Sequence, residues 1–518
     1  MQDIARGVRA FTLGTAVSRV LGLAREMVFA QLFGSSRSTD AFNAAFRIPN
    51  LLRDLFAETS LSAAFVPVLT EEKGKGKERQ NLLASNIINT LLLVVGAVTI
   101  LGMVFSGPVA SLVAMGFSRI PEKLTLTSSL TFITFPFLLF VSLAAWAMSY
   151  HNTEGSFFVP SVAPAFFNVF SIAVPVAMFS WYTARGGDPI YGAALGVTFG
   201  GLIQFLIQVP GVFRRGYRYR LYLNWRDPQF RKVMALFIPV AIGLAGSRIN
   251  VFINTILVSY LAERSMTWLN YAYRVMHLPL GLFGMAVGTV ALPRFSRLVL
   301  DNKNEELKSS LMDSLKMVFF LTVPSSILIA FFAHPLTHLI YQRGQFTADD
   351  TAAVSQALIL YVLGIPFISA LRNVASIFYA HKDARAPMYA SFASIGLNIV
   401  MNLALMKPLG FLAFPLSASV ASVVNICLLI FWLPKKIGPV DFQPVYEYFL
   451  KLILVSAVSG LAGFFTFRLL TRRIGFTFLP MLALTVICGT FSLFVFYVIC
   501  RLLGLKEIEV FIRRFLKR

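Results

Sequence analysis

A chain of 518 residues is long enough for several water-soluble domains, yet 57% hydrophobic and only 14% charged residues leave too little polar surface to cover them. A net charge of +22 would suit a nucleic-acid partner in a soluble protein, but here the Lys and Arg lie mainly between apolar runs and set topology instead. Cys427, Cys488 and Cys500 sit in apolar segments without metal-type spacing, so neither a disulfide framework nor a metal centre is expected.

Met1 to Ala10 carries Arg6 and Arg9 and leads into a segment with Arg and Gly inside it and no small-residue cleavage pattern. The N-terminus is therefore expected to be mature protein, lying in the cytoplasm. From there, apolar runs able to cross a hydrocarbon core of ~30 Å at about 1.5 Å per residue recur to the end of the chain. They predict an all-α polytopic membrane protein with about fourteen transmembrane helices. These begin near Phe11, Asp40, Leu82, Leu124, Phe158, Pro189, Lys232, Thr267, Ser309, Thr347, Ala386, Phe411, Tyr448 and Leu479. The loops Glu71 to Gln80, Phe213 to Lys232 and Arg294 to Lys308, the turn with Lys382 and Arg385, and Lys435 with Lys436 then share the side of the N-terminus. They hold roughly three times as many Lys and Arg as the opposite loops, which places both termini in the cytoplasm. The tail after Cys500, RLLGLKEIEVFIRRFLKR, reads as a basic amphipathic helix on the anionic inner leaflet.

The chain also repeats itself. FTLGTAVSRVLG from Phe11 aligns with VAIGLAGSRINV from Val240, and AFRIPNLLRDLFAETSLSAAFVP from Ala45 with AYRVMHLPLGLFGMAVGTVALP from Ala272. SYHNTEGSFFVPS from Ser149 aligns with FYAHKDARAPMYA from Phe378. Scattered chance matches would not keep one shift throughout. Two pseudo-symmetric six-helix lobes are expected, 1–228 and 229–440, with two C-terminal helices and the tail over 441–518. An even number of helices per copy puts both copies in the same orientation, with the pseudo-two-fold axis along the membrane normal. Transporters built this way hold substrate between the halves near the midplane and rock one half against the other.

Charge within the spans points to the substrate. The first helix carries Arg19, Arg25 and Glu26 in an apolar stretch, where an ionised group is costly unless it faces protein or water. Arg25 and Glu26 read either as structural ion-pairing groups for neighbouring helices or as part of a polar interior. Gly14, Ser18 and Gly22, at spacings of four, permit close helix contact or a bend. In the second helix Asn43, Arg47, Asn50, Asp54 and Glu58 form one polar stripe bordered by Arg53, expected to line a hydrated cavity, and Pro49 should bend it. The second copy gives Asn270, Arg274 and His277, then Gly281, Gly284 and Gly288 on the same face, and His277 reads as a packing residue before a proton carrier. Arg19, Arg25, Arg47, Arg53, Arg248 and Arg274 outnumber Glu26, Asp54 and Glu58. Such a cavity attracts a phosphate or pyrophosphate, whose oxygens the planar guanidinium fork binds in pairs. The sequence has no nucleophile elbow, phosphate-binding glycine loop or His/Cys cluster, so neither enzymatic activity nor a cofactor is expected. The energy is assigned to the membrane potential, an ion gradient or the substrate's own concentration difference.

SRVLGLARE from Ser18, TDAFNAAFRIPNLLRDLFAE from Thr39, AFVPVLTE from Ala64 and YRVMHLPLGLFGMAVGTVALPRFS from Tyr273 resemble the MurJ (MviN) family of bacterial lipid II flippases. That family belongs to the multidrug/oligosaccharidyl-lipid/polysaccharide exporter superfamily, and the likeness covers nearly the whole chain. It implies two six-helix lobes around a cationic central cavity, and two C-terminal helices forming a groove for the undecaprenyl tail. It implies functional arginines at Arg19, Arg25, Arg53 and Arg274, with Asp40 an important acid near the outer end of the second helix. Arg25, Arg53 and Arg274 are assigned to the pyrophosphate, and Arg19, Glu26, Asn50 and Glu58 to sugar-peptide contacts or gating. Asp40, Arg47, Asp54 and His277 are assigned to gating or structural roles. Many relatives have acids flanking the second-copy arginine where this chain has Tyr273 and His277. Some have acids where it has Asn254 and Asn402, near Asn398, so these three amides are the candidates for a Na⁺ site.

The resemblance implies that the chain moves lipid II, the peptidoglycan precursor, from the cytoplasmic to the outer leaflet of the bacterial inner membrane by alternating access. Lipid II, membrane lipids and cell-wall synthesis proteins are the expected partners. The alternative is a cation-coupled drug or polysaccharide-lipid exporter of the same superfamily. A drug exporter needs deep carboxylates, and the first two helices of the second copy show none. A non-transporting membrane scaffold is a third reading, on which the polar stripe would tolerate apolar replacement.

Overall fold

The computed structural model describes residues 2–56, 59–281, 285–474, 478–505 and 507. Glu58, Gly284, the surroundings of Gly288 and, apart from Glu507, the tail beyond Leu505 lie outside the described residues. Within them the regular structure is helical throughout, from Gln2–Phe33 to Phe478–Leu502. Every helix start expected from the sequence falls on a helix or on its N-cap.

Nine helical stretches among the described residues are long and apolar enough to cross a membrane, or up to ten if the bent pair Pro228–Gly243 and Arg248–Ser259 is one span. The chain is thus a multi-pass membrane protein. Its surface carries large apolar side chains that water would not tolerate in such number, among them Val104, Phe431 and Leu479. One 53-residue stretch, Arg385–Ile437, folds back at Gly410, whose φ of 57° lies in the left-handed region open to glycine. Helices Arg385–Leu409 and Ala413–Trp432 pack against each other on either side of that turn.

The helices absent from the nine are the ones that carry charge or breaks. Gln2–Phe33 contains Arg19, Arg25 and Glu26. The second expected helix is divided at Phe46 into Arg37–Ala45 and Arg47–Phe56, and the chain is helical again over Thr59–Gly74, with residues 57 and 58 outside the described residues. Pro49 has no N–H to donate to the Ala45 carbonyl, and its ring presses against that carbonyl. The bend expected at Pro49 therefore appears one turn upstream, as a break at Phe46. In the second copy Ser265–Pro279 and Met285–Leu300 are helical, with residues 282–284 outside the described residues.

The repeat extends to the order and length of elements. Gln2–Phe33 and Pro228–Ser259 each span 32 described residues, and Lys77–Val104 and Asn304–Phe331 are both 28 residues. A short helix follows each of the last pair, Ser106–Val113 and Ala333–Tyr341. Grouping by contact divides the chain differently, into Met1–Thr267 with Arg343–Phe346, and Trp268–Gln342 with Thr347–Arg518. The lobe boundaries at 228 and 440 rest on the sequence repeat.

The first unit is built around Phe42, Phe65, Phe137, Leu138, Trp146 and Tyr150, all buried. In the second unit Phe295, Leu311, Phe378 and Leu429 form the centre, joined by Tyr448 and Phe496 from the two C-terminal helices. Lipid offers apolar side chains little reason to leave it, so close packing has to hold such helices together. The Gly14, Ser18 and Gly22 face shows how. A Cβ on Gly14 would meet Ser161, whose backbone carbon would lie at 2.9 Å, and Asn168 Nδ2 donates to the Ser18 carbonyl at 3.0 Å. The close contact permitted by that spacing is therefore made, against helix Phe158–Ala184. Gly14→Leu is expected to destabilise the protein by about 1 to 3 kcal/mol through overpacking, read as a lowered thermal unfolding midpoint in detergent.

Candidate functional site

Asp40 is 1% exposed and Lys123 is 3% exposed, an ion pair at 3.0 Å removed from solvent. The same carboxylate accepts from Arg264 N at 2.8 Å, Thr267 N at 3.0 Å and Thr267 Oγ1 at 2.7 Å. Asp40 thereby caps the helix that begins at Ser265, whose first-turn N–H groups have no partner within the helix itself. Asn43 Nδ2 donates to Thr267 Oγ1 at 3.2 Å, and Arg37 pairs with Glu122 and Glu263 nearer the surface. Close by in the chain, Gln345 N donates to the Gln31 carbonyl at 2.9 Å. Gly34 and Gly344 flank that contact, both at positive φ and both too close to backbone to carry a side chain. Asp40 joins three stretches of the first unit into one fastening.

Further along the first two helices, the arginines meet carboxylates. Arg25 Nη2 donates to Glu26 Oε1 at 2.8 Å, and its guanidinium lies 5.3 Å from the Phe167 ring centre. Arg25 and Glu26 thus pair with each other, within one helix. Asp54 is shared: Arg53 Nη2 reaches Oδ1 at 3.0 Å and Arg248 Nη2 reaches Oδ2 at 2.9 Å. These two arginines come from different copies of the repeat, and Arg248 is the counterpart of Arg19 in the alignment. Arg19 itself is exposed and has no ion-pair partner among the described residues. Arg47 and Asn50 are half-buried on the same stretch as Arg53. Within the first unit, Arg19, Arg25, Arg47, Arg53 and Arg248 outnumber Glu26 and Asp54 among the described residues, so the surplus is cationic.

In the second unit Arg274 and His277 are exposed. His277 packs edge-on against Tyr273 with ring centres 4.2 Å apart, and Tyr273 contacts Tyr361 at 5.8 Å. Where relatives were expected to have acids, this chain makes edge-to-face ring contacts. Asn398 and Asn402 are buried, and Asn402 Nδ2 donates to Asn398 Oδ1 at 3.2 Å, so that amide oxygen is already engaged. Asn254, the third Na⁺ candidate, is half-buried and belongs to the first unit.

Sequence reasoning did not nominate Lys123 or Thr267. Lys123 stands at the start of an apolar helix, Pro121–Thr134, where a cation has the look of a loop charge. Thr267 had one available signal: it aligns with Asp40 in the repeat.

The model for the family described as lipid II flippase MurJ matches residues 29–485. The chain is 34% identical to the probable lipid II flippase MurJ of Vibrio cholerae over 458 residues, 87% of this chain and 85% of that one. It is 34% identical to the lipid II flippase MurJ of Burkholderia cenocepacia over 462 residues, 88% of each. A solved structure of a lipid II flippase MurJ in an inward closed conformation superposes with a TM-score of 0.75 at 28% identity, over 95% of this chain and 99% of that one. An inward-facing multidrug resistance MATE transporter of the MOP superfamily superposes at 0.62 with 13% identity, over 81% and 94%, and shares the fold alone.

Proposed function

The chain belongs to the lipid II flippase MurJ family and moves lipid II, and from that premise we propose that the arginines of its first unit grip the lipid's diphosphate as it crosses from the cytoplasmic to the outer leaflet. The observation that carries this reading is the carboxylate of Asp54 held between Arg53 and Arg248. A carboxylate bridging two guanidiniums makes the contacts that a phosphate would make, with less charge. Asp54 keeps both forks in place while the site is empty of substrate, and the diphosphate displaces it. Arg25 exchanges Glu26 for phosphate oxygen in the same way, and Arg19 needs no exchange. Arg274 is assigned to the diphosphate on the strength of its place in the repeat and in the family motif.

Rocking of the two repeats carries the loaded site outward, driven by the membrane potential or an ion gradient without a bound cofactor. Both termini lie in the cytoplasm, and the protein resides in the bacterial inner membrane alongside the enzymes of cell-wall synthesis. The surplus of guanidinium over carboxylate favours this reading over export of organic cations.

Purified lipid II in vesicles containing the protein tests it, with gradients imposed one at a time. Translocation above protein-free vesicles, accelerated by one imposed gradient, is expected; no translocation under any gradient contradicts the reading. Asp54→Asn is expected to tighten lipid II binding by about ten-fold, one charged contact's worth, and to slow turnover because release becomes harder. Binding and turnover measured on the same preparation check this.

A further inference from the structure

The third repeated motif is not explained by lipid II transport. In the first copy its acid, Glu154, receives Lys77 at 2.8 Å, Gln80 at 2.7 Å and Lys73 at 3.0 Å. Burial opposes its ionisation, but these donors outweigh burial and hold its pKa below the ordinary value. That turn is closed and electrically satisfied. In the second copy the aligned acid is Asp383, and Ser156 is replaced by Arg385. Asp383 pairs with Lys436 at 2.8 Å and accepts from the backbone N–H of Arg385 and Ala386. The Lys436 ammonium holds its carboxyl below the usual range, so Asp383 stays charged and committed to those donors.

Two cations are left over. Arg385 and Lys435 have no carboxylate partner among the described residues, and with the paired Asp383 and Lys436 they line a cavity of about 340 Å³ walled by Phe378, Tyr389 and Trp432, three cations to one carboxylate. The cavity stands at one end of the hairpin Arg385–Leu409 and Ala413–Trp432, because Arg385 opens the first helix and Lys435 follows the second. Along the hairpin the surface carries open apolar side chains, with Tyr389 57% and Phe431 73% exposed near the cavity end and Phe392 half-exposed further along the first helix. A cationic cup above an apolar, lipid-facing wall, edged by Trp and Tyr, matches a lipid with an anionic head.

We propose that this cavity binds the phosphate of an anionic phospholipid, such as phosphatidylglycerol, through Arg385 and Lys435, with the acyl chains lying along Tyr389, Phe392 and Phe431. None of its residues is among the arginines assigned to lipid II, and the proposal does not depend on that assignment.

Native mass spectrometry of the full chain in detergent tests the proposal, with equimolar phosphatidylglycerol and phosphatidylcholine. The wild type is expected to retain phosphatidylglycerol preferentially. The double variant Arg385→Gln, Lys435→Gln should lose roughly five-fold of that preference per cation removed, with phosphatidylcholine adducts unchanged. The charge-keeping pair Arg385→Lys, Lys435→Arg should restore it, which separates lost binding from lost folding. Equal retention of the two lipids by the wild type, or undiminished preference in the double variant, overturns the proposal. Displacement of phosphatidylglycerol by inorganic phosphate would show a free-anion site and overturn it too. Displacement by equimolar undecaprenyl pyrophosphate would make the cavity a station of the transported lipid, again against the proposal.

Discussion

Asp40→Ala is expected to lower stability by about 3 to 5 kcal/mol, the cost of stranding a buried charge. The side chain of Lys123 is 3% exposed and would keep its ammonium without a counter-ion. Arg264 N and Thr267 N would lose the acceptor that caps the helix beginning at Ser265. Because an unpaired buried charge dominates the loss, Asp40→Ala with Lys123→Met should recover much of it, leaving only the missing cap, about 1 kcal/mol. Thermal or denaturant unfolding of the four proteins in a double-mutant cycle measures the coupling. Additive effects would show that Asp40 and Lys123 do not act as a pair. Transport should fall in Asp40→Ala beyond what the folded fraction explains, since the fastening joins residues near 40, 123 and 264–267.

Arg53→Ala is expected to reduce lipid II transport by about ten- to a hundred-fold while leaving the protein folded, the loss that one charged hydrogen-bonding contact supports. The structure favours this position over Arg25 as a test. When Arg53 is removed, Asp54 remains paired with Arg248 at 2.9 Å, so no carboxylate is stranded. Arg25→Ala should abolish transport too, but it deprives the buried Glu26 of its 2.8 Å partner. Arg53→Lys should recover only part of the rate, because an ammonium lacks the planar fork that takes two phosphate oxygens together. Proteoliposome flux normalised to folded protein measures all three.

Much of the architecture is written locally. Apolar runs such as Lys77–Val104 and Asn304–Phe331 announce themselves by length alone, and the repeat shows as one shift between matching strings. Local chemistry also announced the contact at Gly14 and a distortion at Pro49, although the break lies at Phe46, where the proline acts on the preceding turn. The fastening at Asp40 is a different case. Its partners stand 83, 224 and 227 residues away, and nothing near Lys123 or Thr267 in sequence marks them as partners of an acid. Periodicity identifies a polar face but not which groups on it pair. Arg25 with Glu26, and Arg53 with Asp54 and Arg248, became specific pairs only through packing.

One flux measurement bears most directly on the claim that guanidiniums hold the diphosphate. Vesicles containing the wild type or Arg53→Ala would be given lipid II and an analogue whose diphosphate is replaced by a neutral linker. The wild type should move lipid II and leave the analogue behind, and Arg53→Ala should lose most of that discrimination. Equal movement of both lipids by the wild type, or lipid II flux at the wild-type rate through folded Arg53→Ala, would contradict the account.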